Sequence, residues 1–203
     1  MMDMFISELI GALFQVLLFS LIPFIWWICT ARKKESFFKW IGLKRLKIEG
    51  KVINTVFITV AAAVVYGALS SLFIRAFEGE ITAAGSAYAG KGVMALPAVI
   101  VYGFIRTGLS EEILFRGFLL KRFSDKFGFA NGNTIQAVCF GALHGIPFGI
   151  ATHNIGVTIM LTILPGAFGW YMGWLNEKRC GETIISSWLL HGLMNVAVAC
   201  LSL

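Results

Sequence analysis

Six apolar stretches, each about as long as a lipid bilayer is thick, divide this chain and constrain its fold more than any other feature. A helix crosses about 30 Å of hydrocarbon with about 20 residues at 1.5 Å per residue. The first stretch runs from about Phe5 to Cys29 and ends in an aromatic belt at Trp26 and Trp27. It has no basic leader and no small-residue cleavage site, so it is read as a retained span. The second covers about Val52 to Phe77. The third begins near Val93 and ends at Lys121 and Arg122, and the fourth starts at Thr134 after an "NGN" turn. A glycine-rich turn around Gly149 to Gly156 precedes the fifth, which ends at "NEKRCGE", and the sixth begins near Thr183. Hydrocarbon offers the backbone no hydrogen-bond partners, so spans of this length are helical. The expected fold is therefore all-α: a polytopic integral membrane helix bundle with about six transmembrane helices. One membrane domain over residues 1–203 is expected, with a two-span region at 1–92 and the remaining spans at 93–203.

Charge distribution orients these spans. The net charge of +6 is not spread as a nucleic-acid-binding face: eight of the seventeen Lys and Arg residues lie between Arg32 and Lys51. Three loops, at 32–51, 121–126 and 176–182, hold 8, 3 and 2 basic residues, whereas the intervening connectors hold only Lys91. The positive-inside rule places those three loops in the cytoplasm and the connector "EGEITAAGSAYAGKG" outside. Cys29, Cys139, Cys180 and Cys200 form no C-x-x-C pair and read as small apolar fillers.

Ionisable groups inside the hydrocarbon cost at least about 2.5 kcal/mol each, so each needs a partner or a task. Arg75 and Lys91 sit near span ends and can snorkel. Arg106 has no partner legible in the sequence. Glu111, Glu112, Arg116, His144, His191 and the neutral Asn195 remain. Counting inward from Lys121, Thr134 and Glu182, Glu111, His144 and His191 all fall roughly 14 to 15 Å deep on a 1.5 Å rise. Three spans thus deliver a polar group to one level. His153, about 28 Å along by the same measure, is excluded from the site. Residues 93–120 would make a helix of about 42 Å, so the third span is expected to tilt, break near Gly108 or run on along the interface.

Helical spacing then assigns faces. Glu112 and Arg116 stand at i and i+4 and can pair, whereas Glu111 is rotated by about 100° and is free for another task. A carboxylate beside histidine suits general-base work. His191 and Asn195, also at i and i+4, can aim donors at one spot, as an oxyanion site requires.

Three ordered motifs carry a resemblance: E-E-x-x-x-R at Glu111, Glu112 and Arg116, F-x-x-x-H at Phe140 and His144, and H-x-x-x-N at His191 and Asn195. Over roughly residues 93–203 the chain resembles the CAAX-protease and bacteriocin-processing membrane endopeptidases, which include the Ras-converting CAAX-prenyl endopeptidase and bacterial Abi-type proteins. The resemblance implies an intramembrane endopeptidase whose cavity opens to the cytoplasm, acting on a membrane-associated or lipidated peptide or protein. Glu111, His144, His191 and Asn195 would be catalytic, supported by Glu112, Arg116 and Phe140.

Two mechanisms stay open at this point. In the favoured one, without a cofactor, Glu111 and His144 activate water while His191 and Asn195 hold the oxyanion. In the other, Glu111, His144 and His191 bind zinc, although H-E-x-x-H is absent. Membrane lipids and the peptide substrate are the expected partners, with no nucleic acid, and a bacterial cytoplasmic membrane is the expected location. The rival readings are a proton- or cation-coupled transporter and a non-catalytic bacteriocin-immunity protein.

Overall fold

The computed structural model describes residues 2–77, 85–201 and 203. Residues 78–84 of the predicted external connector lie outside the described residues. Every regular element among the described residues is helical, and the protein is an all-α polytopic membrane bundle. Helix α1 spans Met2–Thr30, the short α2 covers Phe37–Trp40, and α3 spans Val52–Ala76. Two single turns, Ser86–Tyr88 and Val93–Ala95, follow, the second opening a continuous helical span that we call α4, Val93–Phe127. Helices α5 (Phe129–Thr152), α6 (Ile155–Arg179) and α7 (Ile185–Cys200) complete the chain.

Five of these, α1, α3, α4, α5 and α6, are long and apolar enough to cross a membrane. With 16 residues, α7 reaches only about 24 Å, short of the hydrocarbon thickness. Large apolar side chains such as Leu13, Phe14, Leu17, Phe57 and Val64 are exposed along α1 and α3. In water that would be a liability. In lipid it is the solvated surface of a span.

The described chain forms two compact units that interleave along the sequence. One comprises Met1–Arg45, Ala83–Phe118 and Thr183–Leu203, and the other Leu46–Thr82 and Leu119–Glu182. In the first, α1, α4 and α7 pack together, with Tyr88, Ala95, Ala98, Val99 and Ala199 at the core near one end. In the second, α5 and α6 run closely together. A Cβ on Gly141 would lie 2.1 Å from the Thr162 carbonyl oxygen, and one on Gly145 would lie 2.0 Å from the Thr162 hydroxyl. Small residues at this spacing let two helix backbones approach in lipid, where no hydrophobic force drives them together.

Two expectations about the helices become specific. The turn expected around Gly149 to Gly156 falls at His153 and Asn154, with α5 continuing to Thr152 before the reversal. His153 ends α5 in the left-handed region at φ 51°, and the Asn154 side chain accepts from the amides of Gly156 and Val157 to cap α6. Of the alternatives expected for the third span, a break near Gly108 is not found. The span runs on to Phe127, and its two segments Val101–Leu109 and Ile113–Leu120 are wound as π-helix, flanking regular turns at Ser110–Glu112. Its i→i+5 bonding places more residues in each turn, so each residue advances less than 1.5 Å. Glu111 therefore lies shallower from Lys121 than the α-helical rise implies.

π-Winding at bilayer depth requires partners for the carbonyls it displaces. Hydroxyls on α4 itself supply several. Thr107 Oγ1 donates toward the Tyr102 and Gly103 carbonyls at 3.0 and 3.2 Å, and Ser110 Oγ bonds back to the Arg106 carbonyl. The Phe104 carbonyl accepts from the Trp188 indole of α7 at 2.6 Å.

Candidate active site

Close contact between α4 and α7 builds the polar site of the first unit. A Cβ on Gly192 would lie 2.4 Å from Cδ1 of Phe104, and one on Gly103 would lie 2.8 Å from Cγ2 of Val196. Only glycine permits this approach without moving a neighbour. It brings the buried face of α7 within hydrogen-bond reach of Glu112 on α4.

Glu112 is at the centre of that contact and is fully buried, as is Arg116 one helical turn later. Its Oε1 lies 3.1 Å from NH1 of Arg116 and 3.0 Å from Nδ1 of His191, and its Oε2 accepts from the Ser187 hydroxyl. A buried carboxylate is tolerable when a cation and hydrogen-bond donors surround it. Glu112 thereby fixes the His191 ring: Nδ1 is the donor, and Nε2 is turned the other way.

Glu111 occupies that other side. Its Oε2 stands 3.7 Å from Nε2 of His191, too far for a direct hydrogen bond, and this buried oxygen has no hydrogen-bond partner among the described residues. The adjacent acids thus have different surroundings. Glu112 is locked by Arg116, His191 and Ser187, while Glu111 keeps an oxygen available beside an oriented imidazole.

Asn195 lies one turn beyond His191 on α7, and its Nδ2 donates to Thr107 Oγ1 at 2.8 Å. Thr107 in turn bonds the π-wound backbone of α4, so Asn195 is held by the same helix that carries the two acids.

His144 and Phe140 belong to the second unit, on α5. The Phe140 carbonyl can only accept, so the 2.8 Å contact with it places the proton of a neutral His144 ring on Nδ1 and leaves Nε2 basic. The buried Phe140 ring packs against the imidazole, with centroids 4.6 Å apart. Phe140 therefore orients His144 through both its backbone and its ring. Among the described residues, no three His, Cys, Asp or Glu side chains form a donor set for a metal ion.

Arg106, without a partner in the sequence reading, has one on α1. Its NH1 lies 3.1 Å from Oε1 of Glu8, and its Nε donates to Gln15 at 3.4 Å. The Tyr88 hydroxyl donates to Glu8, and Gln15 Nε2 donates to the hydroxyl of Ser110, immediately before Glu111. Burial, reinforced by the hydrogen bond and negative charge of Glu8, holds the Tyr88 phenol above its ordinary pKa, so it remains a donor. Glu8, Gln15, Ser187 and Thr107 were missed by sequence reasoning. An acid at position 8 within an apolar run was the available signal, and Ser187 lies one turn before His191 on the same face.

The sequence model of the family described as Type II CAAX prenyl endopeptidase Rce1-like matches residues 92–197. No curated protein and no solved structure matches the chain.

Proposed function

The chain belongs to the Rce1-like family of type II CAAX prenyl endopeptidases, and from that premise we propose that it hydrolyses a peptide bond of a membrane-associated or lipidated substrate with water activated by Glu111 and His144. Membership supports a CAAX-type intramembrane protease. The choice of water-activating residues is our own reading. The observation that carries it is the contrast between the acids: Glu112 is saturated, whereas Glu111 retains a buried oxygen without a hydrogen-bond partner beside His191.

In this mechanism Glu111, with the basic Nε2 of His144, takes a proton from water as the water oxygen attacks the scissile carbonyl carbon. The carbonyl oxygen becomes an oxyanion held on the Nε2 side of His191, whose Nδ1 remains on Glu112. Asn195 supplies a donor from the amide that Thr107 holds. Collapse of the tetrahedral intermediate breaks the C–N bond, and the proton first taken from water passes to the leaving nitrogen. The products are a new carboxyl group and a new amine.

We place the cavity mouth on the cytoplasmic side and the protein in a bacterial cytoplasmic membrane, in peptide maturation or bacteriocin self-protection, on the charge bias of its loops and the family resemblance. The mechanism we favour uses no cofactor, and the alternative in which Glu111, His144 and His191 would hold zinc is distinguished by elemental analysis.

The test compares membrane peptidomes of cells carrying the wild type and Glu111→Ala, followed by cleavage assays on the accumulating peptide. Glu111→Ala, His144→Ala and His191→Ala should each lower cleavage by at least about 10²-fold, the scale of general acid–base contributions, with the protein still folded in membranes. Cleavage retained in any of the three removes that residue from the mechanism. Proton-coupled flux without peptidase activity would favour the transporter reading.

A further inference from the structure

The basic segment joining α1 to α2 and its continuation to Arg45 is not absorbed by the proteolytic site, yet it is attached to both helices that build that site. Its exposed side chains include Arg32, Lys33, Lys34, Lys39 and Arg45, and none of these five pairs with an acid among the described residues. Glu35 is the only acid between positions 32 and 45. Phe38 stands among these cations with 62% of its surface exposed. Cations beside an outward-facing phenylalanine, directly after the Trp26 and Trp27 belt, match a phosphate layer over the edge of an acyl layer.

The opposite side of the segment is firmly seated. Trp40 and Ile41 are buried, and the Trp40 ring lies 6.0 Å from that of Phe118 on α4. A Cβ on Gly117 would stand 2.8 Å from the Ile41 carbonyl oxygen, so backbone meets backbone there. The Ile184 amide donates to the Gly42 carbonyl at 3.0 Å, and the Thr183 hydroxyl donates to the Lys44 carbonyl at 2.7 Å, at the entrance to α7. One face of the segment thus contacts α4 just after Arg116 and the start of the helix that carries His191, while the other presents unpaired cations.

We propose that residues 32–45 form a docking surface for anionic phospholipid headgroups and that the bound headgroups steady the contacts of this segment with α4 and α7. Charge complementarity selects the occupant: a layer of phosphates at the edge of the acyl layer supplies negative charge to the five exposed cations while Phe38 and the Trp26 and Trp27 belt meet its apolar side. The binding does not depend on the proteolytic reading.

Native mass spectrometry of the full chain, released from micelles containing phosphatidylglycerol or phosphatidylcholine, tests the binding. Hydrogen exchange over residues 37–45 and 113–118 tests the steadying. The wild type should retain phosphatidylglycerol preferentially, lose it as salt is raised, and exchange more slowly in its presence. Each neutralised cation should weaken retention about fivefold, so Lys33→Gln, Lys34→Gln, Lys39→Gln and Arg45→Gln together should reduce it by at least about a hundredfold. None of these side chains is in the core, and Phe38→Ser, which leaves the charges intact, should weaken retention by a smaller factor. Equal uptake of the two lipids by the wild type, or undiminished phosphatidylglycerol in the fourfold variant, overturns the proposal. Retention of an acidic peptide in place of the lipid overturns it as well.

Discussion

Replacing Arg116 with Met should destabilise the protein more than any other single change at its polar centre. The guanidinium and the Glu112 carboxylate are both fully buried and 3.1 Å apart. Their attraction is about 5 kcal/mol at an effective dielectric of about 20. Removing the cation leaves a carboxylate buried with only the neutral Ser187 hydroxyl and the His191 ring to stabilise it, and breaking such a pair typically costs about 3–5 kcal/mol. The two figures agree, so Arg116→Met should lower stability by about 3–5 kcal/mol. Glu112→Gln removes the charge but keeps a side chain of the same length against Ser187 and His191. The double variant Glu112→Gln/Arg116→Met buries no net charge and should regain about 2–3 kcal/mol relative to the sum of the singles. Unfolding in mixed micelles by titration with dodecyl sulfate, for the wild type, both singles and the double, measures that coupling. If Arg116→Met costs less than about 1 kcal/mol, or if the two changes simply add, Glu112 is not held as an ionised group by Arg116 and the division of labour between the two acids fails.

Glu8→Gln and Arg106→Gln should each loosen α1 from α4, and because the Arg106 side chain is 40% exposed the coupling in a double-mutant cycle should be only about 1 kcal/mol. Thr107→Val should lower kcat by about tenfold to a hundredfold with little change in KM, because Asn195 loses the hydroxyl that aims it, and Thr107→Ser should restore the rate. Gly192→Ala introduces a methyl group 2.4 Å from the Phe104 ring and should cost about 1–3 kcal/mol of stability while separating His191 from Glu112, which cleavage rates and unfolding together report. Elemental analysis of purified active protein should find no stoichiometric zinc. Zinc that disappears in His144→Ala would require the metal-dependent mechanism instead.

The apolar run lengths and basic loops determined by themselves that this is a polytopic helical membrane protein. Whether a segment spans depends on the transfer free energy of its own residues, a local quantity. The spacing of Glu112 and Arg116 was equally local, since i and i+4 meet on any ordinary helix and Glu112–Arg116 is a pair within one element. Placement of His191 against Glu112, of Asn195 against Thr107, and of Glu8 against Arg106 required partners 79, 88 and 98 residues apart. Those contacts depend on how α1 and α7 are rotated and how closely they approach α4, which the glycines at 103 and 192 permit but do not reveal in a sequence. The π-winding of α4 was hidden for the same reason. It persists where Trp188, Thr107 and Ser110 satisfy displaced carbonyls, and the Trp188 bond from α7 exists only once the helices are packed. Local chemistry decides which segments enter the membrane, whereas the environment of each polar group within it is set by the neighbouring helix.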